Sequence, residues 1–336
     1  MRVGVVVNPH AWRVKKTALV AEVQAVCQKA RRVFCTVWVT QNQQDLDRAL
    51  EQARDLDLLV PCGGDGTLTA TLSAAHRVLG HALPRCLPLA GGTMNTVARN
   101  LGHTGHPAAH LAQCLSLLER GVELPHRLQG TLLARTEGEV PFGGPTTPKT
   151  CRERLGFLAS AAMGARFLAA YTTSPRRGLV AASMLGARTV ASCLWPGGGS
   201  FARWLFSPLP AKLTVDGQTL PQPSYRLFLA STIADVGLFM KVPWQAGHNP
   251  QRFQVIASSL SLWENAIQMP RMLTGQPLVG QPHFDSLARH ARLELARPEP
   301  IVLDGELFCA ETVEFSVGPV LRVVAPQGIE PRTLRV

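Results

Sequence analysis

The sequence predicts an α/β domain built on a doubly wound parallel sheet, followed by a second domain that is mostly β. Three observations carry that reading. Short apolar runs of buried-strand type alternate with helical patterns over residues 1–120, and Gly-rich clusters stand where two of the strands should end. From about Pro125 the pattern changes to short β-type runs punctuated by Asp-Gly and Pro turns. A chain of 336 residues exceeds what one hydrophobic core usually organises, so two domains are expected, 1–125 and 126–336.

Taken in order, residues 3–7 are a short apolar strand, 16–30 a helix, 33–40 a β-branched and aromatic strand, 45–53 a polar helix and 56–61 a second buried strand. This βαβαβ succession is the start of a doubly wound sheet, whose ligands bind at the carboxyl ends of the strands. A helix over 68–79, a short strand near 87–90 and helices around 95–101 and 110–120 complete the first domain. In the second, β-type runs occupy 127–135, 212–215, 226–230, 252–257, 292–295 and 312–317. Two pieces interrupt them: a Gly/Pro/Thr-rich loop at 137–154, and a stretch over 171–210 that mixes helical patterns with Gly197-Gly198-Gly199.

Composition narrows the function classes. Hydrophobic residues make up 46% and charged residues 17%, which excludes a disordered chain. Basic side chains outnumber acidic ones by 34 to 23, a net charge of +11 that suits a polyanionic ligand, nucleic acid or an anionic membrane surface. No Lys/Arg block marks a nucleic-acid tail, and a nucleic-acid partner is not expected. The eight cysteines form no CxxC pair, which fits reduced thiols and a cytoplasmic location. The short run at 3–7 is not a signal peptide, and no uncharged apolar stretch reaches the ~18 residues of a spanning helix.

Three motifs carry chemistry. Gly63-Gly64-Asp65-Gly66-Thr67 lies between a buried strand and a helix, where bare backbone lets N–H groups approach a phosphate and a carboxylate can help hold Mg²⁺. Taken alone it is also an ordinary strand-to-helix turn. Gly91-Gly92-Thr93-Met94-Asn95 follows the next strand and offers Thr93 and Asn95 beside a second backbone nest; Arg99 beyond it is either a phosphate contact or a helix-surface charge. Far along the chain, Leu303-Asp304-Gly305-Glu306 reads as a hairpin turn, and Val215-Asp216-Gly217-Gln218 is the same turn without the glutamate. Glu306 is a solvated turn residue or a general base that accepts a hydroxyl proton.

In order and spacing, Gly63-Gly64-Asp65-Gly66-Thr67, Gly92-Thr93-x-Asn95 with Ala98-Arg99, and Asp304-Gly305-Glu306 resemble the diacylglycerol kinase catalytic-domain family, which includes bacterial diacylglycerol kinases, related soluble lipid kinases and sphingosine kinases. Asn8-Pro9 after the first strand and Pro175-Arg176-Arg177-Gly178 extend the likeness over nearly the whole chain. The resemblance implies an N-terminal domain like that of NAD kinases and phosphofructokinases, a C-terminal β-sandwich, ATP in the cleft between them, and last residues that can return to the first domain. It implies Asn8, Gly63, Gly64, Gly66, Thr67, Gly92, Thr93 and Asn95 as nucleotide contacts, Asp65 as the catalytic and metal-binding carboxylate for Mg²⁺, and Glu306 as the base, with Asp304 and Gly305 shaping its turn. Replacing Asp65 is then expected to stop phosphotransfer and leave the fold intact.

The chain departs from the family pattern at His10-Ala11-Trp12, where a Ser-Gly type turn is usual, at Ala90 and Thr96, and over Met240–Gln251, which includes His248-Asn249-Pro250, where relatives often carry acidic residues and Asp-Gly that hold a structural Mg²⁺. That second metal is not expected here. The acceptor implied is a lipid hydroxyl, diacylglycerol first, with a sphingoid base as an alternative; an NAD kinase-like enzyme and a non-catalytic nucleotide- or lipid-binding regulator are the competing classes. Peripheral membrane contact is expected through 171–210, where Arg176, Arg177, Arg188 and Arg203 are interleaved with Leu194, Trp195, Phe201, Trp204, Leu205 and Phe206. A helix packed on the sandwich with solvated arginines explains that segment equally well. A homodimer is left open.

Overall fold

The computed structural model describes residues 1–143, 150–174, 178–195, 199–237, 240–281 and 283–325. They fall into two units, Met1–Gln129 with the strand that follows Pro319, and Gly130–Gly318.

The first unit opens with β1 (Arg2–Val7), α1 (Trp12–Lys16), α2 (Leu19–Lys29), β2 (Phe34–Val39), α3 (Gln43–Glu51), β3 (Leu58–Gly63) and α4 (Asp65–Leu79). The helix expected over 16–30 is α2, and the short α1 ahead of it was not expected. Thr17 leaves helical geometry and its hydroxyl donates back to the Arg13 carbonyl at 2.9 Å, closing α1 before α2 begins. Just after β4 (Arg85–Cys86), β5 (Leu89–Ala90) falls within the strand expected near 87–90. Then come α5 (Thr96–Asn100), α6 (Pro107–Glu119) and β6 (His126–Gln129). β1 runs parallel to both β2 and β3, and the sheet order is β2-β1-β3-β4, with β5 also on β3. The apolar side chains Val3, Val5, Val7, Val60 and Cys62 share one core with Leu19 and Val23 of α2 and Leu111 and Leu115 of α6. α3 and α4 pair with each other, and their buried Leu46, Leu50, Leu68 and Leu72 supply further core. Every strand end that matters for binding points the same way.

The second unit contains β7 (Leu132–Pro141), β8 (Thr150–Gly156), β9 (Leu158–Ala162), α7 (Met163–Thr173), α8 (Leu179–Leu194), α9 (Ser200–Leu205), β10 (Leu209–Val215), β11 (Gln218–Thr219), β12 (Ser224–Tyr225), β13 (Leu227–Ser231), β14 (Phe253–Ser258), α10 (Leu262–Ile267), α11 (Met269–Thr274), β15 (His283–Ala288), β16 (His290–Leu303) and β17 (Glu306–Val317). All pairings are antiparallel. β16 organises the unit. Its first half pairs with β10 and its second half with β9, while β17 runs along its other edge, and the register shifts between Glu294 and Glu299. A bulge of that kind bends a strand and lets one sheet fold over. Side chains of β7, β9, β10, β13, β14, β16 and β17 accordingly meet in a single core that includes Phe228, Phe253, Phe308 and Phe315.

One expectation for this unit is corrected. Residues 137–154 are not one loop: β7 and β8 occupy both flanks and pair with each other, leaving only the tip, 144–149, outside the described residues. After Gly318 the chain returns to the first sheet as β18 (Leu321–Val324), antiparallel to β6 and parallel to β4.

Candidate functional site

In the first unit the two Gly clusters are one structure. The Gly91 N–H donates to the Gly63 carbonyl at 2.8 Å, joining the end of β3 to the end of β5. A side chain on Gly92 would collide with the Gly64 Cα, and one on Gly63 with the Thr67 side chain. These glycines therefore serve the close approach of two backbones. Asn95 sits at φ 49°, ψ 44° and is buried; its side-chain oxygen accepts the Gly92 N–H at 2.8 Å and its amide donates to the Gly92 carbonyl at 2.9 Å. Asn8 acts similarly on the first loop, donating to the Thr67 hydroxyl at 2.9 Å and accepting the His10 N–H at 2.9 Å.

Asp65 fastens the loops together. Its Oδ2 accepts the Thr96 N–H and its Oδ1 the Val97 N–H, both at 2.9 Å, so a residue that opens α4 also caps α5. Burial raises its carboxyl above the ordinary carboxylate value, opposed by the N–H donors of Val97 and Thr96 and by the charge of Arg99. The expectation that this carboxylate matters little to packing is corrected: replacing it releases two backbone donors at the start of α5.

What these loops leave open is equally specific. Gly66 is exposed, and a Cβ placed on it meets nothing within 4 Å. Its backbone is ordinary helical backbone, so the fold has no need of glycine there. α4 spans 15 residues from Asp65, with Gly64 as an N-cap that has no side chain to offer, leaving first-turn N–H groups to be satisfied from outside. Thr93 stands half-buried in the second loop.

In the second unit the Asp304-Gly305 turn has both central residues at positive φ, 45° and 86°, the geometry of a two-residue hairpin turn of type I′. The Asp304 carboxylate is buried and accepts the N–H groups of Phe157 and Leu158 at 2.9 Å each. Asp216-Gly217 repeats this arrangement, with φ of 45° and 85° and the Asp216 carboxylate on the N–H groups of Arg289 and His290. The aspartates are thus structural in both turns. Glu306 is the difference between them. It lies 3.7 Å from Arg154, whose guanidinium also makes a bidentate pair with buried Glu139 at 2.6 and 2.7 Å.

Glu139 and Arg154 are the pair that sequence reasoning missed, because the segment bearing them reads as a loop. Alternating charges at Glu137 and Glu139, and at Arg152 and Arg154, are the period-2 signal that marks two strands there. Arg13 was missed as well. Its backbone N–H donates to the Gly91 carbonyl at 3.0 Å and its guanidinium to the Gly105 carbonyl at 3.1 Å, which ties the turn after β1 to the second Gly loop.

In the 241–254 region, the indole N–H of Trp244 donates to Asp285 at 3.0 Å, and the Gln254 amide donates to the other oxygen of the same carboxylate. Of the four arginines expected at a membrane contact, Arg188 and Arg203 lie on α8 and α9, with Arg188 stacked 4.3 Å over the Phe201 ring. Arg176 and Arg177 lie outside the described residues. Between α7, α8 and α9 opens a cavity of about 660 Å³, walled by Phe142, Tyr171, Met184, Phe201 and Trp204 with Arg188 among them. No described helix is long and apolar enough to cross a membrane.

Residues 2–124 match the family described as the diacylglycerol kinase catalytic domain. Among curated proteins no sequence matches the chain. Among solved structures the chain is similar to a diacylglycerol kinase from Bacillus anthracis str. Sterne, at 13% identity and a TM-score of 0.58 with 98% of each chain covered. A second diacylglycerol kinase-like protein from the same strain is 15% identical, with a TM-score of 0.62 over 98% of this chain and 97% of the other. The fold is therefore that of the diacylglycerol kinase-like proteins, at full length and at low identity, and the family match spans both Gly-rich loops of the first unit.

Proposed function

We propose that the chain is a lipid kinase that transfers the γ-phosphate of ATP to a lipid hydroxyl, with diacylglycerol as the leading acceptor. The observation that carries this reading is Gly66. A glycine with open space around it, in the first turn of a helix without a side-chain cap, is what a triphosphate requires and what the fold does not. The paired loops around it, locked by Asp65, Asn95 and Asn8, hold the surrounding N–H groups in place before any ligand arrives, so little of the binding energy goes into ordering.

The residues present also fit Mg²⁺ that arrives with the nucleotide. Each Asp65 oxygen accepts one N–H and keeps lone-pair capacity for a cation. The described residues hold no cluster of three His, Cys, Asp or Glu side chains, so the remaining ligands would be phosphate oxygens and water, the usual arrangement for this ion. Bound there, Mg²⁺ would neutralise charge on the β- and γ-phosphate oxygens. Glu306, exposed and carboxylate-bearing, is the residue for accepting the acceptor hydroxyl proton.

A lipid acceptor is supported by the second unit. The open cavity beside α8 has apolar walls and one cationic side chain, which suits an acyl chain with a polar head. Val180, Met184, Leu194 and Trp195 on and after α8 are all more than half exposed, and no acidic residue occurs between Glu153 and Asp216 while Arg154, Arg166, Arg176, Arg177, Arg188, Arg203 and Lys212 do. Exposed apolar groups in a one-signed stretch suit peripheral contact with an anionic bilayer. The test is γ-labelled ATP supplied with mixed micelles of diacylglycerol, ceramide or sphingoid base, and separately with NAD. Label extracted into the organic phase with diacylglycerol supports the reading; label in NADP, or none with any acceptor, refutes it.

A further inference from the structure

We infer that Arg154 is a positioning residue for Glu306, held in place by Glu139, and that the buried pair exists to aim the base. The inference rests on the reading of Glu306 as the proton acceptor and adds to it the group that sets its side chain.

A glutamate at the first position of β17 has free rotation about its side-chain bonds, and nearly half of its side-chain surface is open to solvent, 46%. Its own hairpin does not restrain it: Gln218 stands at the same place in the twin turn and is simply exposed. Arg154 supplies the restraint. It is 9% exposed, its two terminal nitrogens grip Glu139 Oε2 at 2.7 Å and Oε1 at 2.6 Å, and its guanidinium lies 4.8 Å over the Phe308 ring. Thr136 donates its hydroxyl to Glu139 Oε2, and Arg152 stands 3.7 Å from Oε1. The guanidinium is thus held at both terminal nitrogens and against one face, and the nitrogen that bonds Glu139 Oε1 is the one 3.7 Å from Glu306 Oε1.

The backbones are joined as well. Asp304 takes the N–H groups of Phe157 and Leu158 and returns its own N–H to the Leu158 carbonyl at 2.9 Å. Gly156 leaves the room for this, since a side chain there would strike Leu303 and come within 2.9 Å of the Asp304 carboxylate. Arg154 and Glu306 are therefore fixed to a common frame, two residues to either side of that junction. A sheet in need of stability alone would carry an apolar pair at 139 and 154, because two charges lose most of their mutual attraction to desolvation. Lysine could not replace the arginine, having neither the planar fork for Glu139 nor the face that stacks on Phe308.

The test separates aiming from folding. Arg154→Met strands the Glu139 carboxylate and is expected to lower the melting midpoint, so the informative protein carries Glu139→Met together with Arg154→Met. It is expected to recover the midpoint yet to lose kcat, on the order of 10²-fold if the base is displaced by about 1 Å, with the KM for ATP unchanged. Wild-type kcat in that folded protein would overturn the inference. Should the double variant not fold, Arg154→Lys is measured with and without Glu306→Gln. A residue that acts through Glu306 costs nothing further once the glutamate is gone, whereas factors that multiply would show an independent, structural role and overturn the proposal. Failure of the underlying reading looks different: Glu306→Gln alone would then turn over normally.

Discussion

A methyl group on Gly92 has nowhere to go, since the Gly64 Cα already occupies its place, whereas a methyl group on Gly66 meets nothing. The same residue type thus answers to the fold in one loop position and to a ligand in the other. Gly92→Ala should destabilise the protein by forcing the paired loops apart. Gly66→Ala should leave the melting midpoint unchanged or raise it, alanine being better in a helix by a few tenths to about 1 kcal/mol, while weakening ATP by about ten-fold through loss of close backbone contact with phosphate. Thermal melts with equilibrium ATP binding on both variants check this. Undiminished ATP affinity in Gly66→Ala would remove the phosphate from that turn.

At the level of single elements, α5 and α6 bring His103 and His110 together, stacked with ring centroids 5.0 Å apart. Burial pushes His103 down to about 3, and His110 and Arg127 nearby disfavour its charged form further. The folded chain refuses a proton that the unfolded chain accepts near pH 6.5. Stability from this group is therefore complete above pH 6.5 and declines as the pH falls toward 3, by up to about 1.4 kcal/mol per pH unit. His103→Phe should flatten the fall of the melting midpoint between pH 6.5 and 4.5, and an unchanged slope would show that the imidazole is not held neutral. α8 and α9 carry a second expectation. Arg188→Gln with Arg203→Gln should weaken co-sedimentation with anionic vesicles by about 1 kcal/mol per charge, and added salt should do the same to the unaltered protein. Binding indifferent to both would leave these arginines as solvated charges on a packed helix.

The elements also show what can be read in a chain and what cannot. β1, β3 and the Asp-Gly hairpins were legible because buried runs and type I′ turns are written in adjacent residues. β7 and β8 were not, since Gly and Pro at their shared tip read as a loop and concealed the charge alternation that pairs Glu139 with Arg154. α10 and α11 were missed although Ser261 and Glu264 form a capping box, with the Ser261 N–H on Glu264 at 2.7 Å. At the site, residue identity was visible and division of labour was not. Asp65 and Asn95 stand in the two loops singled out from the motifs and Asn8 follows β1, but their hydrogen bonds go first to the start of α5, Gly92 and Thr67. The bonds of Asp65 and Asn8 join residues 31 to 59 positions apart, beyond what local patterning records.

For the whole molecule, the proposed function rests on Glu306 of the second unit acting as the base. The chain contains its own control, because Asp216-Gly217-Gln218 and Asp304-Gly305-Glu306 share backbone geometry and the double hydrogen bond of the aspartate. They differ at the third residue. The most direct measurement is kcat for phosphorylation of diacylglycerol in mixed micelles, with ATP affinity determined in parallel, for Glu306→Gln and for Gln218→Ala. The account predicts a loss of roughly 10²–10⁴-fold in kcat with ATP binding preserved for the first, and wild-type behaviour for the second. Equal turnover by the two variants would contradict it and return Glu306 to the role of a solvated turn residue.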